Sequence, residues 1–167
     1  MHNNVKVLLV DDNPMVLGLL TNALAQAAVI HTASDGADAL LRAIDEPFDL
    51  IVSDYHMSGM DGRQLLEKIR SRPSTSRIPV ILIASKSDVT ERLKGVQDAV
   101  EDFVEKPFFI KAAAGRIKRV IDKIALEKMA KEAPASDGTL RGTLAQMNVL
   151  DLLQSLDMGK KTCLLTL

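Results

Sequence analysis

The chain has 167 residues, room for one ordinary domain and part of a second. Its 21 basic and 22 acidic residues leave a formal net charge of -1, so no overall field draws it to nucleic acid or an anionic membrane, and protein or small-ion partners are expected. The single cysteine, Cys163, excludes an internal disulfide or a cysteine metal cluster; the start "MHNNVKVLLVDD" lacks the pattern of a secretory leader, and no apolar run approaches the length of about 20 residues that a spanning helix needs, so a cytoplasmic protein with no membrane partner is expected.

In chain order, "VKVLLV" (5–10) reads as a first buried strand. After "DDNP", Val16, Leu17, Leu20, Ala23, Leu24 and Ala27 recur near the helical period, with Asn13 placed to cap and Pro14 in the first turn. "AVIHTA" (28–33) reads as a second strand. The helix that follows it is predicted to take Ser34 as its cap and to present Ala37, Leu40, Leu41 and Ile44 on one face. "FDLIVSD" (48–54) is a third strand, and a helix with Leu65, Leu66 and Ile69 on its inner face comes next. "IPVILIA" (78–84) and "EDFVEK" (101–106) complete the strands, separated by a weaker helical pattern in "DVTERLKGV". Five continuous apolar strands alternating with helices imply a doubly wound α/β domain, a parallel sheet covered on both faces, over residues 1–125.

From Phe108 to about Lys131 the spacing predicts one long helix, apolar at Ile110, Ala113, Ile117, Val120, Ile121 and Ile124, with a basic outer side that reads as solvated. Residues 126–139 form a helical extension and linker, since "EAPASDGT" is poor in apolar residues and carries Pro134 and Gly138. Residues 140–167 begin something new. "MGKKT" there lacks the upstream glycine of a phosphate-binding loop.

In an open parallel sheet, ligands bind beyond the carboxyl ends of the strands. Asp11 and Asp12 end the first strand, Asp54 the third and Lys106 the fifth, so three carboxylates and one ammonium should converge on one edge. Such a cluster is costly unless a cation or a lysine neutralises it. Hard oxygen ligands on loops suit Mg2+, which together with a neighbouring lysine is equipment for phosphoryl transfer. Taken singly, "DD" reads equally well as a helix cap, Asp54 as a turn residue and Lys106 as an exposed charge.

The segments "VLLVDDNP", "DLIVSDYHMSGMDG", "IPVILIAS" and "DFVEKPF", in this order, resemble the receiver domain of two-component response regulators. The resemblance spans residues 5–125. It implies strand order 2-1-3-4-5, a flavodoxin-like arrangement, with Asp54 as phosphoacceptor, Asp11 and Asp12 as the metal-binding acids, and His56 giving Mg2+ a backbone carbonyl. It further implies that Lys106 contacts the phosphoryl group, that Phe103 is an aromatic switch, and that a histidine kinase or phosphotransfer protein is the donor. A homodimer through the fourth helix, fifth strand and fifth helix is another expectation.

Two departures stand out. Ala84 occupies the place where the family carries Thr or Ser, and Ser85 follows it, which puts the switch hydroxyl in doubt; alternation along a strand stops Ser85 from substituting unless the strand has already ended. Ser58 stands where the family commonly has proline, which is expected to loosen that loop. The tail, with "GTL", "DLLQSL" and "GKKT", resembles the opening of a PATAN-like output domain; ending within it, the fragment is expected to be disordered or to pair with a second molecule. DNA binding is not expected of a short tail that is not basic.

Two other functions compete. A constitutive protein-interaction module that has lost its switch is favoured by Ala84 and opposed by the complete acid and lysine set. A phosphohydrolase resembling the haloacid dehalogenase type would use Asp54 as nucleophile, but it needs a second acid two residues on, where this chain has His56. An exposed His56 side chain with no role is the simpler reading, and no enzymatic turnover beyond the protein's own phosphotransfer and dephosphorylation is expected.

Overall fold

The computed structural model describes residues 4–132, and the reading of residues 140–167 as an output domain lies outside them. Five parallel strands, β1 (Lys6–Val10), β2 (Val29–Ala33), β3 (Leu50–Asp54), β4 (Val80–Ser85) and β5 (Asp102–Lys106), form one sheet in the order β2-β1-β3-β4-β5. Between and after them lie α1 (Pro14–Leu24), α2 (Gly36–Asp45), α3 (Gly62–Ser71), α4 (Lys86–Glu91) and α5 (Ile110–Glu132). The doubly wound, flavodoxin-like arrangement therefore stands. Strand order reverses at β1 and β3, and this is where the first and third strands deliver their terminal acids.

Every residue of β3 is buried, as expected of a central strand covered on both sides. Leu8, Val10, Ile51, Leu82 and Ala84 share one hydrophobic cluster with Ala39 and Ala43 of α2 and with Leu65, Leu66 and Ile69 of α3. The alternate positions Val7, Leu9, Val52, Ile81 and Ile83 are buried as well, and pleating points them to the opposite face. Right-handed crossovers place α1 on that opposite face, and its Leu20 and Leu24 are buried. On α5, up to Asp122, Ala113, Ile117 and Ile121 mark the inward side.

Local chemistry sets the helix starts. Asn13 caps α1, its side-chain oxygen accepting from the N–H groups of Met15 (3.0 Å) and Val16 (3.4 Å), with Pro14 in the first turn. Asp61 and Gln64 form a reciprocal capping box on α3, at 2.8 and 2.9 Å.

Three sequence expectations need correction. The cap of α2 is Asp35, whose carboxylate accepts from Asp38 N at 2.7 Å, while Ser34 is exposed one residue outside. The buried face of α2 is Gly36, Ala39 and Ala43, with Leu40, as expected, partly buried against the same cluster; Leu41 is 62% and Ile44 38% exposed, and Ala37 also faces water. A small-residue stripe lets the helix lie close to its neighbours, and at Gly36 a Cβ would come within 2.8 Å of the Met60 carbonyl oxygen. The fourth helix is shorter and earlier than "DVTERLKGV" suggests. It starts at Lys86 because Ser85 caps it, and the chain leaves helical conformation before Gly95, whose φ is +94°.

Urea denaturation of two variants tests the inversion on α2. Ala39→Leu should cost about 1–3 kcal/mol by overpacking, whereas Leu41→Ser should change stability by less than about 0.5 kcal/mol. The reverse order would restore the leucine face.

Candidate functional site

The carboxyl ends of β1, β3 and β5 bring Asp11, Asp12, Asp54 and Lys106 together. One carboxylate oxygen from each of Asp11, Asp12 and Asp54 lies within 4.8 Å of the others. Asp54 is 4% and Asp11 5% exposed, while Asp12 faces solvent. Lys106 Nζ is ion-paired with Asp54 Oδ1 at 2.5 Å, and among the described residues that buried oxygen accepts no hydrogen bond. Burial pushes the Asp11 carboxyl above its ordinary 3.8; the Asn13 N–H donated to it at 2.8 Å pulls it back, the Asp54 charge pushes it up, Lys106 opposes, and Asp12 adds to the rise.

This donor set fits a divalent cation. Three hard oxygens, two of them nearly dry, surround one point, with a single ammonium to balance them. Asp11, Asp12 and Asp54 are the groups that would hold Mg2+.

The loop after β3 is fixed at both ends. Gly62 N donates to the Tyr55 carbonyl at 2.9 Å, and a Cβ on Gly62 would fall 2.6 Å from the Asp54 carbonyl oxygen and 2.9 Å from Tyr55 Cα. Glycine is required there because α3 begins in contact with the backbone that carries Asp54. Ser58 N donates to Asp12 Oδ2 at 3.3 Å, a bond that a proline at this position has no hydrogen to make. That bond ties the loop to one of the acids.

The residues carried over as a switch lie nearby. Ala84 is fully buried, and Phe103, partly buried and in register with Leu82, packs against the same cluster. Ser85 is at once the last residue of β4, in register with Lys106, and the cap of α4. Its hydroxyl donates to Asp88 Oδ2 at 2.6 Å and accepts from Asp88 N at 3.1 Å, so it is engaged with α4. The His56 side chain is exposed but has a partner, with Nε2 2.8 Å from Asp88 Oδ2. Asp88, 6% exposed, escaped the sequence reading although "SKSD" (85–88) carries the serine-x-x-acid signature of a helix start.

The sequence model described as response regulator receiver domain matches residues 7–118. Chemotaxis protein CheY-3 of Vibrio cholerae serotype O1 is 31% identical over 126 residues, covering 74% of this chain and 94% of that protein. Hybrid signal transduction histidine kinase D of Dictyostelium discoideum is 32% identical over 127 residues, 76% of this chain and 8% of its own length. The chain spans half the length or less of several proteins it resembles. The solved receiver domain of sensor histidine kinase PA1611 from Pseudomonas aeruginosa PAO1, described with a magnesium ion coordinated in its active site cleft, has a TM-score of 0.62 at 23% identity, over 72% of this chain and 97% of that one, a likeness of fold.

Two stability measurements follow from the site. Asp11→Asn, which removes one of the crowded charges, should raise the thermal midpoint by a few degrees in metal-free buffer and weaken the stabilisation that added Mg2+ gives the wild type; a lower midpoint without metal would show that the cluster carries no such cost. Gly62→Ala should destabilise the fold by about 1–3 kcal/mol in urea titrations, and a neutral result would contradict the close approach to Asp54.

Proposed function

From the premise that the chain belongs to the response regulator receiver domain family, we propose that Asp54 accepts a phosphoryl group from a phosphohistidine of a histidine kinase or phosphotransfer protein. One observation carries the reading: the buried Asp54 carboxylate is paired with Lys106 and flanked by Asp11 and Asp12. In the transfer an Asp54 carboxylate oxygen bonds to phosphorus as the phosphorus–nitrogen bond breaks, and the electron pair leaves with the donor imidazole. Lys106 balances the charge that builds on the equatorial oxygens. Bound Mg2+ supplies further charge balance and alignment of the phosphoryl oxygens. Asp11 and Asp12 would hold that ion, and the Ser58 N–H, donated to Asp12, ties this acid to the loop that follows Asp54.

The product is an acyl phosphate, and the protein turns over only its own phosphoryl group. Phosphorylation adds about -1.5 to -2 charges at neutral pH if an acyl phosphate behaves like other phosphorylated side chains. With Ala84 lacking a hydroxyl, the shift that this produces through Phe103 is smaller than a receiver with Thr or Ser there would show. Output runs through α4, β5 and α5, by homodimer contact there or through residues 140–167, whose motifs resemble a PATAN-like protein-interaction domain. A cytoplasmic location is part of this proposal; among the described residues no helix is long and apolar enough to cross a membrane.

Incubation with acetyl phosphate and Mg2+, followed by intact mass, tests the reading. The wild type should gain one phosphoryl mass, Asp54→Asn none, and chelation of the metal should abolish the gain. Equal uptake by Asp54→Asn, or none by the wild type, would overturn it.

A further inference from the structure

The structure points to Asp88 as a positioning residue that ties the loop after Asp54 to the first turn of α4, and we propose that this tie carries the state of Asp54 to α4. The inference rests on the reading of Asp54 as phosphoacceptor. A carboxylate as buried as Asp88 is costly unless it is paired, and its partners come from three places. His56 Nε2, two residues beyond Asp54, lies 2.8 Å from Oδ2; the Ser85 hydroxyl donates to the same oxygen at 2.6 Å; Arg92 Nε, just past α4, lies 3.7 Å from Oδ1. The Ser85 hydroxyl in the first place, and His56 after it, hold the Asp88 carboxyl below its ordinary 3.8, against the opposing effect of burial. An ionised carboxylate only accepts, so the hydrogen in this contact comes from His56 Nε2.

The arrangement couples two events. Oδ2 is shared between the loop and the cap, and the same Ser85 hydroxyl accepts from Asp88 N at 3.1 Å. A displacement of His56 therefore disturbs the cap through one oxygen. Asp88 also holds the far end of the turn, its carbonyl accepting from Arg92 N and Leu93 N, each at 2.8 Å. A helix of six residues has no reserve of internal hydrogen bonds against the loss of its cap. Ala84, fully buried and without a hydroxyl, offers no polar route of its own from Asp54 to α4.

The test measures amide exchange over residues 86–93 in the full chain before and after treatment with acetyl phosphate and Mg2+, at one pH, with label stoichiometry from intact mass of the same samples. The wild type should show exchange several-fold faster per labelled molecule. In His56→Leu, which cuts the loop end and leaves the Ser85 cap, that difference should vanish while protection before labelling stays close to wild type. Asp88→Asn, with His56 in place, should lose both protection and response. If the wild type is labelled and neither variant is, Asp88 acts on the loop itself, which supports the positioning role, because Asp88 touches none of the reacting atoms. A wild-type-sized difference in labelled His56→Leu, or equal loss of protection in both states of each variant with the difference intact, overturns the tie alone. A wild type that takes no label overturns the Asp54 reading and this inference with it.

Discussion

The ion pair between Asp54 and Lys106 is the constraint on which the rest of the site depends. Asp54 ends a strand that is buried throughout, and its Oδ1 is ion-paired with the Lys106 ammonium at 2.5 Å. The partners sit on β3 and β5, which are separated by β4, so the lysine must span two strand spacings, about 10 Å. Only a long, flexible cation does that. The requirement fixes where β5 ends, and it places the terminus of β4, with Ala84 and Ser85, between acceptor and cation in the order of the sheet.

Charge crowding around that pair works against stability and for chemistry. Asp11 is raised chiefly by burial, and its neighbours Asp54 and Asp12 add to the rise. A fold selected for stability alone would place apolar or neutral groups there, since partly compensated buried charges seldom stabilise. The glycine at position 62 follows from the same demand. Bringing α3 hard against the backbone of Asp54 leaves no room for a Cβ, so the helix start, with its Asp61 capping box, is built around the acceptor.

The inner strands and the acids at their ends were legible because the two signals are local. In β1, β3 and β4 a continuous apolar run names a buried strand, and in β1 and β3 the first charge after it names the end that carries the site, whereas the edge strands β2 and β5 are only partly buried. Face assignment in α2 was not legible, because "GADALLRAI" carries alanines and leucines at competing helical offsets and hydrophobicity favours the larger residues, whereas close packing against Met60 selects the smaller. Ser34 and Asp35 are both good caps, and only the position of Gly36 decides between them. Ser58 was read only as the absence of a proline, yet it also contributes a backbone N–H, visible only once Asp12 is placed beside it. Asp88 was missed for a related reason. Its signature marks a helix start, and nothing in the sequence brings residue 56 next to residue 88.

Ser85 shows how one backbone turn redirects a side chain. Had β4 continued, alternation would have sent Ser85 to the face opposite Ala84; instead strand gives way to helix at this residue, and the hydroxyl is drawn into the first turn of α4. It cannot donate to a phosphoryl group on Asp54 while it donates to Asp88. Any reassignment of that hydrogen toward the acceptor must therefore break the bond to Asp88 Oδ2, although the oxygen can still accept from Asp88 N, so the Ser85–Asp88 side-chain bond is what opposes such a move. On the readings proposed for Asp54 and Asp88, the first turn of α4 would then set how far phosphorylation moves the equilibrium.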